Sequence, residues 1–499
     1  MELISIVYGL FTLSLLGIYW ALEKPQMRLM AILIGSIFAY SSLNTQYIPL
    51  LLALTFINFQ FGREIGKNTS PGKHNLDWQI SNEEWQFANV DWNQRRLKLL
   101  WLGVSLNVLI LLGFKYINSA VAMIFDSPVS TSGNLFKVVA PLGISFFTFE
   151  CIAYLVDVYR GAPASNQLLK FAAYKLFFPK LISGPITRYH NFITQFNSLE
   201  FPATNRIAEA LWLIARGAVK KGILADRLSI FVDLCFGNLQ RAGSNDLWLA
   251  TLAYGLHLYL DFSGYVDIAR GSALLFGLVL PENFDFPYFS TSIAEFWRRW
   301  HMTLGDWLRN YVYFPLGGSR QGLTRTCWNL FIVMLIAGIW HGSIWTFVVW
   351  GAYHGLALVI HRLMDAMSDR YEKLEQFWQN PLGVVLAWFI TQIMVFTSWI
   401  WFRLPNLQDS VWVFQHLWNH PADSQFYQKV YVEALNTSPH QIAWIMGMLA
   451  AFMGFTYIFK RHLKLDISWP LKLVFVPLCF YAVWLFAPEG SVPFVYFNF

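Results

Sequence analysis

Between Thr326 and Ile360 the chain carries no Asp, Glu, Lys or Arg. At about 1.5 Å of rise per residue that run makes roughly 50 Å of helix, whereas the hydrocarbon core of a bilayer is about 30 Å thick. A single straight span cannot use it up. The run must fold as two spans, or as one span and a re-entrant piece. The natural break is Gly342-Ser343, because glycine ends or bends a helix most readily. His341 sits beside that break, inside IAGIWHGS (Ile336 to Ser343). An ionisable side chain at membrane depth is costly to keep, so it marks a candidate functional site.

The rest of the chain agrees with a membrane setting. Only 13% of its 499 residues are charged and 56% are hydrophobic, against about 25% charged in soluble domains. Many separate apolar runs with charges gathered between them read as an all-α, polytopic integral membrane protein; alternating short segments of the β-barrel kind are not what the sequence shows. The 23 Trp, 22 Tyr and 44 Phe suit interfacial belts and bulky interior packing and by themselves imply no cofactor. A net charge of +6 first means cytoplasmic loops; with no basic soluble domain, nucleic acid is not an expected partner. The four cysteines, Cys151, Cys235, Cys327 and Cys479, lie far apart with no Cys/His spacing of a metal or redox site. The N-terminal segment lacks a basic leader region and reads as a retained first span.

Taken in order, apolar runs at Ile4 to Leu22, Leu29 to Leu43 and Ile48 to Phe61 precede a hydrophilic stretch, Gly62 to Lys98. Two spans separate that basic stretch from the Lys24/Arg28 loop, so both fall on one side. The positive-inside rule makes that side cytoplasmic and places the N-terminus outside. A span at Leu99 to Ile117 leads to a weakly charged external loop, Phe125 to Gly133. Val138 to Gly161 carries Glu150 and Asp157, too acidic to face lipid. Leu168 to Phe192 mixes Lys170, Lys175 and Lys180 with the breakers Pro179, Gly184 and Pro185, the pattern of an interfacial helix entering a re-entrant loop. Further spans are expected at Leu382 to Phe402, Ile442 to Phe459 and Leu471 to Phe486, with an external excursion after Pro405. The total is roughly 11 to 13 membrane segments, re-entrant ones included, in a single domain over residues 1–499.

Several residues are candidates for chemistry. Ile293, Phe296, Trp297, Trp300, Leu304, Trp307, Leu308 and Tyr311 make one stripe at helical spacing, with Glu295, Arg298, Arg299, Asp306 and Arg309 off it. That predicts an amphipathic helix at the cytoplasmic surface, with His301 at the edge of the stripe, either packing at an interface or reaching inward. Arg298, Arg299 and Arg309 are there to attract a donor's phosphates or simply to be solvated. HMTLGD (His301 to Asp306) also fits a short H-x4-D acyltransferase pattern, which arises easily by chance. His341, neutral in an apolar pocket, is suited to take a proton from a hydroxyl; the plain alternative is a core histidine bonded to a carbonyl. His354, in a similar -HG- setting, has the same two readings. Asp261, close in sequence to His257, Asp267 and Arg270, either pairs to lock helices together or lines a site. His416 and His420 lack a third partner for a metal, and no metal is expected. Nucleophile elbow, Walker loop, HExxH and dinucleotide fingerprint are all absent, so any nucleophile comes with the substrate.

LGISFFTFECIAYLVDVYRG, ISGPITRYHNF, LYLDFSGYVDIARG, ENFDFPYFSTSIAEFWRRWHMTLGDWLRNYVYFPLGGSR and AGIWHGSIWTFVVWGAYHG resemble, in order, blocks of the membrane-bound O-acyltransferases (the MBOAT family), most of all the branch that O-acetylates alginate. The resemblance is close over about residues 135 to 365. It implies a ring of helices with re-entrant pieces around a central funnel, His341 as the catalytic histidine and His301 as a second polar position of the site. Trp297, Arg298, Arg299, Arg309, Asp261 and His354 are then candidates for binding substrate or donor. It implies no bound cofactor; acetyl-CoA or another acyl thioester is the co-substrate, delivered from the cytoplasm to a hydroxyl on a secreted polysaccharide or on a relay protein. The implied setting is the bacterial cytoplasmic (inner) membrane, beside polysaccharide-synthesis machinery. D-alanyl or lipid transfer from a carrier-protein thioester is the neighbouring alternative. A transporter is the alternative of a different class, but the paired repeats transporters often show are not evident.

Overall fold

The computed structural model describes residues 5–67, 94–124, 138–198, 200–488, 490 and 493–495. The expected loops therefore lie largely outside the described residues, the first over 68–93 and the second, Phe125 to Gly133, entirely. Every named element among the described residues is helical, and the one isolated β-bridge pairs Phe284 with Trp300.

Among the described residues, seven stretches are long and apolar enough to cross a membrane: Pro25–Gly66, Gln94–Asn118, Gly322–His341, Trp345–Ser368, Pro381–Arg403, Pro439–Arg461 and Trp469–Phe486. The first is two helices, Pro25–Asn44 and Ile48–Gly66, each opening with proline in its first turn, where the missing N–H costs nothing. A shorter apolar helix, Ile6–Ala21, precedes them. The uncharged run breaks where its length requires: one helix ends on His341 and the next begins at Trp345. These two helices pack backbone to backbone. A Cβ on Gly351 would stand 2.6 Å from the Met334 carbonyl oxygen, and one on Gly338 would run into the carbonyl of Phe347. Small residues let helices approach this closely, which is how helices associate where no hydrophobic effect drives them together.

The chain divides into two compact units. One comprises residues 1–210, 269–281 and 306–315. Here Asn58 and Asn107 exchange side-chain hydrogen bonds of 2.8 and 3.3 Å between two spans. The Leu168 to Phe192 segment is broken into short helices, Leu168–Lys175, Phe178–Leu181 and Tyr189–Ile193, as its Pro and Gly content predicts. Two of its three lysines are not interfacial, however. Lys175 and Lys180 are buried, and both reach Glu150, at 3.2 and 2.6 Å. Glu150 also accepts from the Thr187 N–H and hydroxyl, at 3.0 and 2.8 Å. A carboxylate so surrounded holds a broken backbone together inside the protein.

The other unit comprises residues 211–268, 282–305 and 316–499. Its Pro439–Arg461 and Trp469–Phe486 helices bury little of their apolar surface: Trp444 and Trp484 are 73% and 76% exposed. Faces this apolar belong in hydrocarbon, which fits the multi-pass membrane reading.

Candidate active site

His301 and His341 both fall in the second unit. His341 ends its helix and is buried. Its ring is enclosed by Trp340, Trp350 and Phe402, with centroids at 4.6, 5.1 and 4.9 Å, and by Phe347 at 5.9 Å. All four are buried, so the imidazole sits among interior aromatic rings.

The stripe that predicted one amphipathic helix through 293–311 is cut at its middle. Ile293–Arg299 and Met302–Leu308 are separate helices, followed by a wider π turn over Arg309–Tyr313. The cut has a local cause. Residues 283–285 run beside 299–302: Asp285 N–H donates to the Arg299 carbonyl and Met302 N–H to the Asn283 carbonyl, both at 3.0 Å. This pairing holds His301 at φ +43°, in the left-handed region that L residues rarely adopt. His301 therefore points into the protein and is 1% exposed, where helical spacing put it at an edge. The stripe is borne out in burial at six of its eight positions: Ile293, Phe296, Trp300, Leu304, Trp307 and Leu308 are buried, and Trp297 and Tyr311 are half-buried.

Asn283 fixes the state of the His301 ring. Its Oδ1 accepts from the Thr303 N–H at 3.1 Å and hydroxyl at 3.0 Å, and lies 3.2 Å from His301 Nδ1. An amide oxygen only accepts, so Nδ1 is the donor and carries the proton. Burial pushes the imidazole down to about 3, so the ring is neutral at physiological pH. A relay of rings, each in contact with the next, joins the two histidines: His301–Phe262 at 4.8 Å, Phe262–Phe284, Phe284–Trp300 and Trp300–Trp399 each at 5.1 Å, Trp399–Phe402 at 5.6 Å and Phe402–His341 at 4.9 Å.

The sequence profile of the membrane-bound O-acyltransferase family matches residues 155–400, which contain both histidines. Over 80% of its length the chain is 37% identical to the probable alginate O-acetylase of Pseudomonas aeruginosa, covering 71% of that protein. It is 32% identical to the peptidoglycan O-acetyltransferase of Helicobacter pylori, over 78% of this chain and 73% of the other. The chain is a membrane-bound O-acyltransferase. To the teichoic acid D-alanyltransferase of Bacillus subtilis it is 27% identical over 49% of its length, covering 65% of that protein.

The remaining candidates of this acyltransferase are dispersed. His354 and Trp297 stand together, rings 5.1 Å apart, and both neighbour Trp350. Arg298 is exposed, and Arg299 is paired with Glu295 at 2.6 Å. Arg309 belongs to the other unit, where it pairs with Asp306 at 2.9 Å. Asp261 takes the pairing role, with Lys221 at 2.8 Å in place of the Arg270 that sequence proximity offers; its second oxygen accepts from the Val495 N–H at 3.0 Å. Asp267 likewise pairs with Arg216 and Lys220, both at 2.7 Å. Burial outweighs Asp267 and pushes the Lys220 ammonium down to about 8. His416 hydrogen-bonds the Trp412 carbonyl, and no group of three or more His, Cys, Asp or Glu among the described residues is placed to hold a metal. Asn283, Trp399 and Ser398 are not visible as site residues: a lone Asn between Glu282 and Phe284 gives no periodic signal, and the Trp and Ser lie in a span whose apolar pattern is satisfied without them.

Proposed function

We propose that this acyltransferase moves an acetyl group from acetyl-CoA, bound from the cytoplasmic side, to a hydroxyl on a secreted polysaccharide or on the serine of a relay partner. The observation that carries this reading is His341: a buried imidazole at a helix end, enclosed by aromatic rings, inside the matched family region. The acceptor oxygen attacks the thioester carbonyl carbon while His341 takes the hydroxyl proton; the C–O bond forms, the C–S bond breaks, and the proton passes to the departing thiolate. The water-poor lining favours transfer over hydrolysis. His301 orients the donor. Because its Nδ1 proton is committed to Asn283, that nitrogen is not the one to polarise a thioester carbonyl. Trp297 and His354 line the acceptor side, Asp261 is a positioning residue through Lys221, and Arg298 and Arg299 contribute general attraction for the donor's phosphates. Acetyl transfer is favoured over D-alanyl transfer because the O-acetylating relatives align over most of the chain and the D-alanyltransferases over about half.

The lysine- and arginine-rich ends support a cytoplasmic position for the Lys460/Arg461 turn, with the N-terminus outside. The decisive experiment is His341→Ala. Acetylation of the product in a host lacking the native enzyme should fall to background while the variant stays at normal level in the membrane fraction. Acetylation that persists in that variant removes the mechanism.

A further inference from the structure

One buried acceptor, a single tryptophan ring away from the proposed base, has no hydrogen-bond partner among the described residues. The Ser398 hydroxyl has a single proton and donates it to the Val395 carbonyl at 2.6 Å. The 2.9 Å contact between Ser398 Oγ and His354 Nε2 must then run the other way, with Nε2–H donating. In a neutral ring this leaves Nδ1 as a bare lone pair. His354 is 0% exposed, and its Nδ1 has no hydrogen-bond partner among the described residues. Buried polar atoms in this condition are rare and call for a ligand or a bound solvent molecule. Three indole rings neighbour the His354 ring, those of Trp297, Trp350 and Trp399, with centroids 5.1, 4.8 and 6.3 Å away, and the N–H of each is buried with no hydrogen-bond partner among the described residues. Trp350 also touches His341, at 5.1 Å.

We infer that His354 Nδ1 receives the hydrogen bond of an uncharged hydroxyl, holding the acceptor of the reaction against His341, with an indole N–H donating to the same oxygen. This deepens the acetyl-transfer reading and rests on it. The chemistry selects the class. Among the described residues in ring or hydrogen-bond contact with His354, none carries a formal charge. Phosphate or carboxylate would find no counter-charge there, whereas a hydroxyl both gives and accepts and matches one acceptor set among donors. Thioester carbonyls offer no proton to Nδ1. A glycan hydroxyl and a seryl hydroxyl share this chemistry.

Two substitutions separate binding from structure. In His354→Gln the amide nitrogen takes the place of Nε2 and keeps the bond to Ser398, but no atom stands where Nδ1 was. His354→Asn puts its amide oxygen at the Nδ1 position and gives up Ser398. The full chain in lipid nanodiscs would be assayed with labelled acetyl-CoA and two uncharged hydroxyl probes, a neutral β-1,4-linked glucose oligosaccharide and N-acetylserinamide. Losing the partner of a buried polar group corresponds to about tenfold in affinity. The expected result is a KM for the hydroxyl probe about tenfold higher in His354→Gln, the loss lying in KM more than in kcat, with His354→Asn within about threefold of wild type. The probe that shows this split identifies the source of the hydroxyl. The reverse order, with Gln close to wild type and Asn impaired, means that the Ser398 bond alone matters and overturns the assignment. Wild-type protein that cleaves acetyl-CoA yet transfers to neither probe also overturns it. Wild-type protein that does not cleave acetyl-CoA overturns the donor reading instead. Ser398→Ala, which frees the ring to move its proton to Nδ1, should raise KM in the same direction and serves if the His354 variants do not fold.

Discussion

At the scale of single residues, the chain gives several of its buried ionisable groups a defined counterpart. Glu150 is the clearest case outside the site: two buried ammonium groups and a threonine depend on it. Removing one partner of such a cluster is worse than replacing the cluster with apolar groups, because the remaining charges stay buried and uncompensated. Glu150→Ala should therefore lower stability by about 3–5 kcal/mol, seen as a drop in the detergent-solubilised melting temperature and in membrane yield. Unchanged melting would show that Lys175 and Lys180 find other partners. His301 and His354 are governed by the same logic in neutral form. Each ring is held in one tautomer by a single oxygen, Asn283 Oδ1 or Ser398 Oγ, and that choice decides which nitrogen faces outward.

At the scale of elements, the hairpin Gly322–His341 and Trp345–Ser368 sets where His341 lies. Its register depends on Gly338 and Gly351 meeting without side chains. Gly338→Leu should force the helices apart, destabilise the protein by about 1–3 kcal/mol and reduce transfer sharply even though no reacting group is altered. A variant of normal activity and melting temperature would show that the close approach is not required. The break in the aromatic stripe at His301 is the other element-level feature. Two short helices and a left-handed residue turn a predicted surface helix into a turn that delivers an imidazole inward.

For the molecule as a whole, apolar faces on Pro439–Arg461 and Trp469–Phe486 mark lipid contact. The proposed orientation puts Lys464 in the cytoplasm and Asp423, in the excursion after Pro405, outside. With the native cysteines replaced, Asp423→Cys should react with a membrane-impermeant maleimide in intact spheroplasts, and Lys464→Cys only after permeabilisation. The opposite labelling pattern would invert the topology, and the acetyl donor would then have to arrive from the other face.

The membrane setting, the helix break beside His341 and the family were all legible in the sequence, because each depends on quantities that run along the chain: charge density, span length and ordered blocks of residues. The burial of Glu150 and Asp157 followed from the same cost of charge at membrane depth. What only tertiary structure decided were contacts between distant residues. Asn283 bends the chain at His301, Ser398 sets the proton of His354, Lys221 rather than Arg270 neutralises Asp261, and Lys175 and Lys180 turn inward to Glu150. Periodicity reports which face of an element is apolar, but a hydrogen bond is decided by whichever polar atom packing brings within about 3 Å, and nothing in local sequence encodes that neighbour.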